Sequence, residues 1–163
     1  MKNSILETDF LSDELKIYAS NKKILHLITF LKYHTHLLLN NLIDITAYDR
    51  IADKKRFGVV YLFLSTVWNK RIQLEIKTDE ITWVPTSTSI FAGANWPERE
   101  TFDLFGIIFE NHPDLRRILT DYGFQGHPLR KDFPLTGFVE VRFDENSKSI
   151  IYSATSLAQE FKF

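Results

Sequence analysis

The stretch "RFGVVYLFLST" (56–66) is apolar on both of its alternating faces, and "RIQLEIKT" (71–78) follows it after a short turn containing Asn69. A strand buried on both sides belongs in the middle of a sheet, whereas the alternation of the second segment suits an edge. Together they read as a hairpin. "LIDITAYDR" (42–50) also alternates and adds a third strand. Upstream, residues 8–20 read as a helix capped by Thr8 or Asp9, with Leu11, Leu15 and Tyr18 at helical spacing. Asn21 to Tyr33 continues helically through Ile24, Leu27, Ile28 and Leu31.

Downstream, Thr86 to Phe105 returns to helix with a break near Gly93. Asn95 has the place of an N-cap, Pro97 of the first turn, Glu98 of a capping-box acid and Gly106 of a C-terminal glycine. "GIIF" (106–109) reads as a short strand and "HPDLRRIL" (112–119) as a short helix. A long loop follows, and "FVEVRFD" (138–144) and "KSIIYSA" (148–154) form a second hairpin. The expected fold is a single α+β domain over residues 1–163, in which N-terminal helices pack on a small mixed β-sheet as two layers. A loop-rich C-terminal segment with a hairpin completes it, residues 146–163 being an extension.

Composition narrows the function classes. Without cysteine there are no disulfides, no thiolate zinc sites and no cysteine-ligated iron–sulfur clusters. A net charge of -1 supplies no field for nucleic acid phosphates, so nucleic acid is not an expected partner. The longest apolar run, Gly58 to Leu64, is far shorter than the ~20 residues of a membrane-spanning helix, so membrane contact is expected only through a partner. The start, "MKNSILETDFLSDEL", carries four acids and reads as neither a transit peptide nor a secretory signal.

The densest charge pattern is "NWPERETFDLFG" (95–106). On a helix Phe102 and Phe105 share one face. Arg99 and Asp103 point away from it and are expected to pair across one turn. Glu98 falls between the two phenylalanines in direction, so its carboxylate is expected to be buried and held by an arginine or by backbone amides. Glu98 and Glu100 lie about 200° apart around the helix and cannot converge on one bond as an acid–base pair. Arg116 and Arg117 are expected to face outward, either as solvated charges or as bidentate grips on a partner's carboxylates. The proline-framed loop "GHPLRKDFPL" reads as a stiff docking element. No phosphate loop, dinucleotide fingerprint or nucleophile elbow occurs. His34 and His36 have no third ligand near them in sequence.

"ERETFDLFGIIFENHPDLRRIL" (98–119) followed by "GHPLRKDFPLTGFVEVRFDE" (126–145) resembles the 30-kDa subunit family of respiratory complex I, most strongly over residues 83–145. The resemblance implies a core subunit of the peripheral arm of NADH:ubiquinone oxidoreductase, non-catalytic alone and without a cofactor of its own. The assembly would use NADH, FMN, iron–sulfur clusters and ubiquinone. The implied partners are the large quinone-site subunit of 49-kDa type and neighbouring peripheral-arm subunits. The family signature carries over onto Glu98, Arg99, Glu100, Asp103, Phe105, Gly106, His112, Pro113, Asp114, Leu115, Arg116 and Arg117, and a second motif onto Arg130, Lys131, Asp132 and Pro134. The implied location is the matrix side of the mitochondrial inner membrane with an organelle-encoded chain, or the cytoplasmic face of a bacterial membrane. A related membrane-bound hydrogenase-type complex is the alternative setting, and a free-standing carboxylate or histidine enzyme a remoter one.

Overall fold

The computed structural model describes residues 5–11, 14–157 and 159. In chain order the elements are β1 (Ile5–Leu11), β2 (Glu14–Ala19), α1 (Ile24–Tyr33), β3 (Asn41–Asp49), β4 (Phe57–Ser65) and β5 (Lys70–Thr78). Then come β6 (Val84–Pro85), α2 (Asn95–Phe105), β7 (Phe109–Glu110), β8 (Val139–Asp144) and β9 (Ser149–Ala154). Five strands form one mixed sheet in the order β1-β2-β5-β4-β3, with β2 and β5 parallel and the other neighbours antiparallel. β6 and β7 pair in parallel, and β8 and β9 form a separate hairpin.

The α+β class stands, but the chain opens with strands. The expected helix over 8–20 does not form: β1 and β2 pair as a hairpin, and β2 lies alongside β5. Leu15 and Tyr18 do sit at helical spacing, yet Ile17 and Ala19 are the buried pair, and they follow the period of two of a strand. A second correction follows from the first. β5 is not an edge, because β2 covers its far side.

β4 is interior, as its two-sided apolar pattern requires. Phe57, Val59, Tyr61 and Phe63 on its core face join Leu74, Ile76, Ile17 and Ile45. This sheet face meets Ile24, Leu27, Ile28 and Leu31 of α1 and Phe105 of α2 in one cluster. Val60, Tyr18, Tyr48, Glu75 and Lys77 occupy the other face by register. There Gly58 lets the Tyr48 ring lie flat across the strand, since a Cβ would meet that ring at 2.2 Å. The Tyr48 hydroxyl donates to Glu75, and burial together with that neighbouring carboxylate raises its pKa.

Candidate functional site

α2 begins at Asn95, one residue later than a cap would sit, and Asn95 makes no side-chain capping bond. Glu98 is not a capping-box acid either. Its side chain is fully buried and turns to the segment after β6. There Oε1 accepts the Ser87 backbone N–H at 2.8 Å and the Ser87 hydroxyl at 2.7 Å, and Oε2 accepts the Thr86 hydroxyl at 2.5 Å. Among the described residues no arginine or lysine reaches it. The nearest basic group is the buried His112 ring, with Nε2 3.9 Å from Oε2. His112 Nδ1 accepts the Asp114 N–H at 3.1 Å, which leaves the ring proton on Nε2, 3.3 Å from the Asn95 carbonyl. Burial raises the Glu98 pKa against the opposing pull of these hydrogen bonds. Glu98 thus ties α2 to the β6 segment and the β7 turn.

Asp103, one turn further along α2, is the stronger hub. Its Oδ2 accepts three consecutive backbone N–H groups, from Ile118, Leu119 and Thr120, at 3.1, 2.8 and 2.9 Å. Its Oδ1 takes the Thr120 hydroxyl at 2.7 Å and Arg117 Nη1 at 3.4 Å. Burial pushes its pKa up, but these donors outweigh burial and hold the carboxyl below its ordinary value. Asp103 therefore does not pair with Arg99, which donates instead to the carbonyls of Arg116 and Arg117. Residues 112–119 are not a helix. They run as an irregular turn whose backbone groups are satisfied by α2 side chains, so hydrogen bonds that would have made a helix go elsewhere.

The following loop is pinned at each step. His127 Nδ1 donates to the Asp103 carbonyl at 2.8 Å, and the Leu129 N–H donates to the Leu104 carbonyl at 3.1 Å. Burial lowers the His127 pKa, and the nearby Arg130 and Arg117 act in the same direction. Arg130 Nε reaches the Phe105 carbonyl at 2.6 Å, and its guanidinium lies 5.2 Å from the Phe57 ring centre. Gly106 permits this: its φ is 77°, and a Cβ would stand 2.4 Å from Arg130 Nη2 and 2.7 Å from the His127 ring. The Lys131 N–H then donates to Asp49 Oδ2 at 2.8 Å, and Asp132 pairs with Arg56 at 3.0 Å. Arg56 also forks onto Asp49 through two 2.7 Å bonds. The bonded guanidinium lowers the pKa values of both Asp49 and Asp132.

The predicted residues thus divide. Glu98, Asp103 and Phe105 are buried, the His112 side chain is enclosed, Gly106 is half-buried, Leu115 packs against the core, and Arg99, Arg117 and Arg130 spend their donors on this chain's own carbonyls and acids. Arg117 is consequently not an outward residue, although Arg116 is, paired among the described residues with the exposed Asp114 at 2.9 Å. Glu100, Pro113, Lys131 and Asp132 are exposed, and Pro134 is half-buried. The acceptors and donors at the far ends were missed: Thr86, Ser87, Thr120, Asp49 and Arg56. Only the last pair left a trace, as opposite charges bracketing the "DRIADKKR" turn. No group of three or more metal-ligating side chains comes together among the described residues.

The model of the family described as "Respiratory-chain NADH dehydrogenase, 30 Kd subunit" matches residues 17–139, which include every one of these internal ties. The chain belongs to that family. An NADH-quinone oxidoreductase subunit of Mesorhizobium japonicum is 49% identical over 96% of this chain and 78% of that protein. The mitochondrial NADH dehydrogenase [ubiquinone] iron-sulfur protein 3 of Candida albicans is 53% identical over 92% of this chain and 54% of its own length. A chain in the structure of an archaeal membrane-bound sulfane sulfur reductase shares the fold at a TM-score of 0.68, with 22% identity, 89% of this chain and 90% of that one.

Proposed function

We propose that this chain, a peripheral-arm subunit of NADH:quinone oxidoreductase, works by docking on the large quinone-site subunit of 49-kDa type and holds no redox cofactor itself. The observation that carries the reading is the strap of residues 112–134, which Asp103, Arg117, Arg130 and Asp49 fix to the body. A loop immobilised before binding loses little freedom on binding, which favours a tight permanent contact. It presents Arg116, Lys131, Leu119 and Leu129 outward. The cysteine-free sequence supports the absence of an iron–sulfur cluster in this subunit. No described helix is long and apolar enough to cross a membrane, so protein contact is the natural route to a bilayer enzyme. NADH, FMN, iron–sulfur and quinone chemistry then lie in other subunits.

The test is Arg116→Glu combined with Lys131→Glu, two exposed charges outside the internal network. Recovery of assembled complex with the large subunit should fall severalfold while the free chain keeps its circular dichroism. Normal assembly with a slower chemical step would move the role to the quinone site itself. An absorption spectrum of the pure chain checks the second half, and a stoichiometric flavin or iron signal would overturn it.

A further inference from the structure

The C-terminal hairpin is built the wrong way round for a free protein. In β8 and β9, Val139 faces Ala154, Val141 faces Tyr152, and Phe143 faces Ile150. Directly opposed residues share a side of the pleat, so one face of the hairpin is entirely apolar. The other face carries Glu140, Arg142, Asp144, Ser149 and Ser153, with Ile151 among them. In an ordinary half-buried hairpin the apolar face turns inward. Here Val141, Phe143, Ile150 and Tyr152 are 55%, 64%, 65% and 63% exposed, while on the polar side Glu140, Arg142 and Ser149 are exposed and Ile151, Ser153 and Asp144 are partly covered, so the apolar face is the barer of the two. Neither strand joins the main sheet.

A lone two-stranded hairpin is marginal in water and needs a third strand or a packing surface. With Val139, 56% exposed, these five side chains amount to roughly 400–500 Å² of apolar surface, the size of patch that marks an interaction site. The same figure argues against a second copy of this chain, because a stable pair takes roughly 800 Å² from each partner. The face is therefore one part of a larger contact, and it continues through the exposed Phe138 and Leu135 toward the strap. Charge narrows the occupant further. Asp144 and Glu145 stand at the hairpin tip with Glu140 behind them, against Arg142 and Lys148. The Ser147 N–H donates to the Asp144 carboxylate at 3.0 Å and holds its pKa below the ordinary value. Such a tip is repelled by anionic lipid and suits a protein with cations at its rim.

We infer that the apolar face of the β8–β9 hairpin is a second docking surface, which seats against an apolar, basic-rimmed face of another protein subunit in the assembled enzyme. It is separate from the strap and does not depend on which subunit the strap meets.

Hydrogen exchange on the full chain, free and in the purified assembly, tests this without any variant. The β8 and β9 amides should exchange at least ~10-fold more slowly in the assembly. The variant arm replaces Val141 and Ile150 by Glu, with Arg142→Gln as the polar-face control. The double substitution should cut recovery of assembled complex by ~10-fold and leave the circular dichroism of the free chain unchanged, and the control should assemble normally. Equal exchange in both states overturns the inference. So does a concentration-dependent dimer of the free chain that the double substitution abolishes, or flotation of the free chain with phosphatidylcholine–cardiolipin vesicles. Protection of the hairpin together with normal assembly of Arg116→Glu/Lys131→Glu would sink the strap reading alone.

Discussion

Replacing Asp103 by Asn keeps the size of the side chain and removes its charge, at a site with no solvent exposure. The wild-type carboxylate takes five donors: three amides on Oδ2, and a hydroxyl and a guanidinium N–H on Oδ1. An asparagine must turn its oxygen to the three amides, since its NH₂ group there would meet three donors. The NH₂ then faces Thr120 and Arg117. The hydroxyl can rotate to accept, but the guanidinium cannot and retains only Thr120 and the Gly126 carbonyl. Hydrogen bonds to a charged group are each worth ~1.5–3 kcal/mol, about twice those to a neutral one. Losing one and weakening three predicts a cost of ~2–4 kcal/mol, a large share of a typical 5–15 kcal/mol total. For a chain of this size that is a fall in Tm of roughly 5–12 °C. Urea titrations across pH supply the check. The folded Asp103 pKa lies below its unfolded value, so its contribution is present above the unfolded value and lost as pH falls through the folded one. The wild-type and variant curves should therefore separate near neutrality and converge in acid. A difference within ~0.5 kcal/mol at pH 7, or parallel curves down to pH 2, would refute the account of Asp103 as the tie between α2 and the strap.

Glu98 should behave in the opposite sense. Its raised pKa means that its contribution is present below the unfolded value and lost as pH rises through the folded one, so Glu98→Gln should flatten that decline in a urea-midpoint series. A wild type that gains on the Gln variant as pH rises would show the reverse balance. Glu98→Ala strands the Thr86 and Ser87 donors and should cost ~1–3 kcal/mol, whereas a change under ~0.5 kcal/mol would mean the pocket refills with water. Gly106→Ala meets both a left-handed backbone and the Arg130 guanidinium, and should cost at least ~1–2 kcal/mol in thermal unfolding. An unchanged Tm would show that Arg130 swings aside freely.

How much of this is legible in the sequence depends on whether the signal is local. β4, the hairpins and the glycine stop at Gly106 rest on period and on one backbone angle, and these survive in the chain's own order. The β1–β2 hairpin escapes such a reading because a six-residue segment is too short to separate two periods: Leu15 and Tyr18 fit one face of a helix, and Ile17 and Ala19 one face of a strand. Only the pairing with β5, more than fifty residues away, decides between them. Glu98 is legible as buried, since its direction on the helix is local. Its partners are not, because Thr86 and Ser87 are ordinary hydroxyls in a stretch expected to be helical.

The arginines show the same division more sharply. Charges clustered on short, proline-framed segments look like a docking surface when only the segment is in view. Once folded, Arg117 and Arg130 reach backbone carbonyls at Gly126 and Phe105, targets that have no side-chain signature. A guanidinium satisfied in this way gives little affinity to a partner, but it fixes the register of a loop that has almost no secondary structure of its own. Truncating either residue should therefore reduce assembly indirectly, by loosening the strap. The apolar hairpin face carries the plainer docking signal, in the alternation of Val139, Val141 and Phe143. From sequence it looks like an ordinary half-buried hairpin, because alternation shows that a strand has two unlike faces and not which of them the rest of the chain leaves bare.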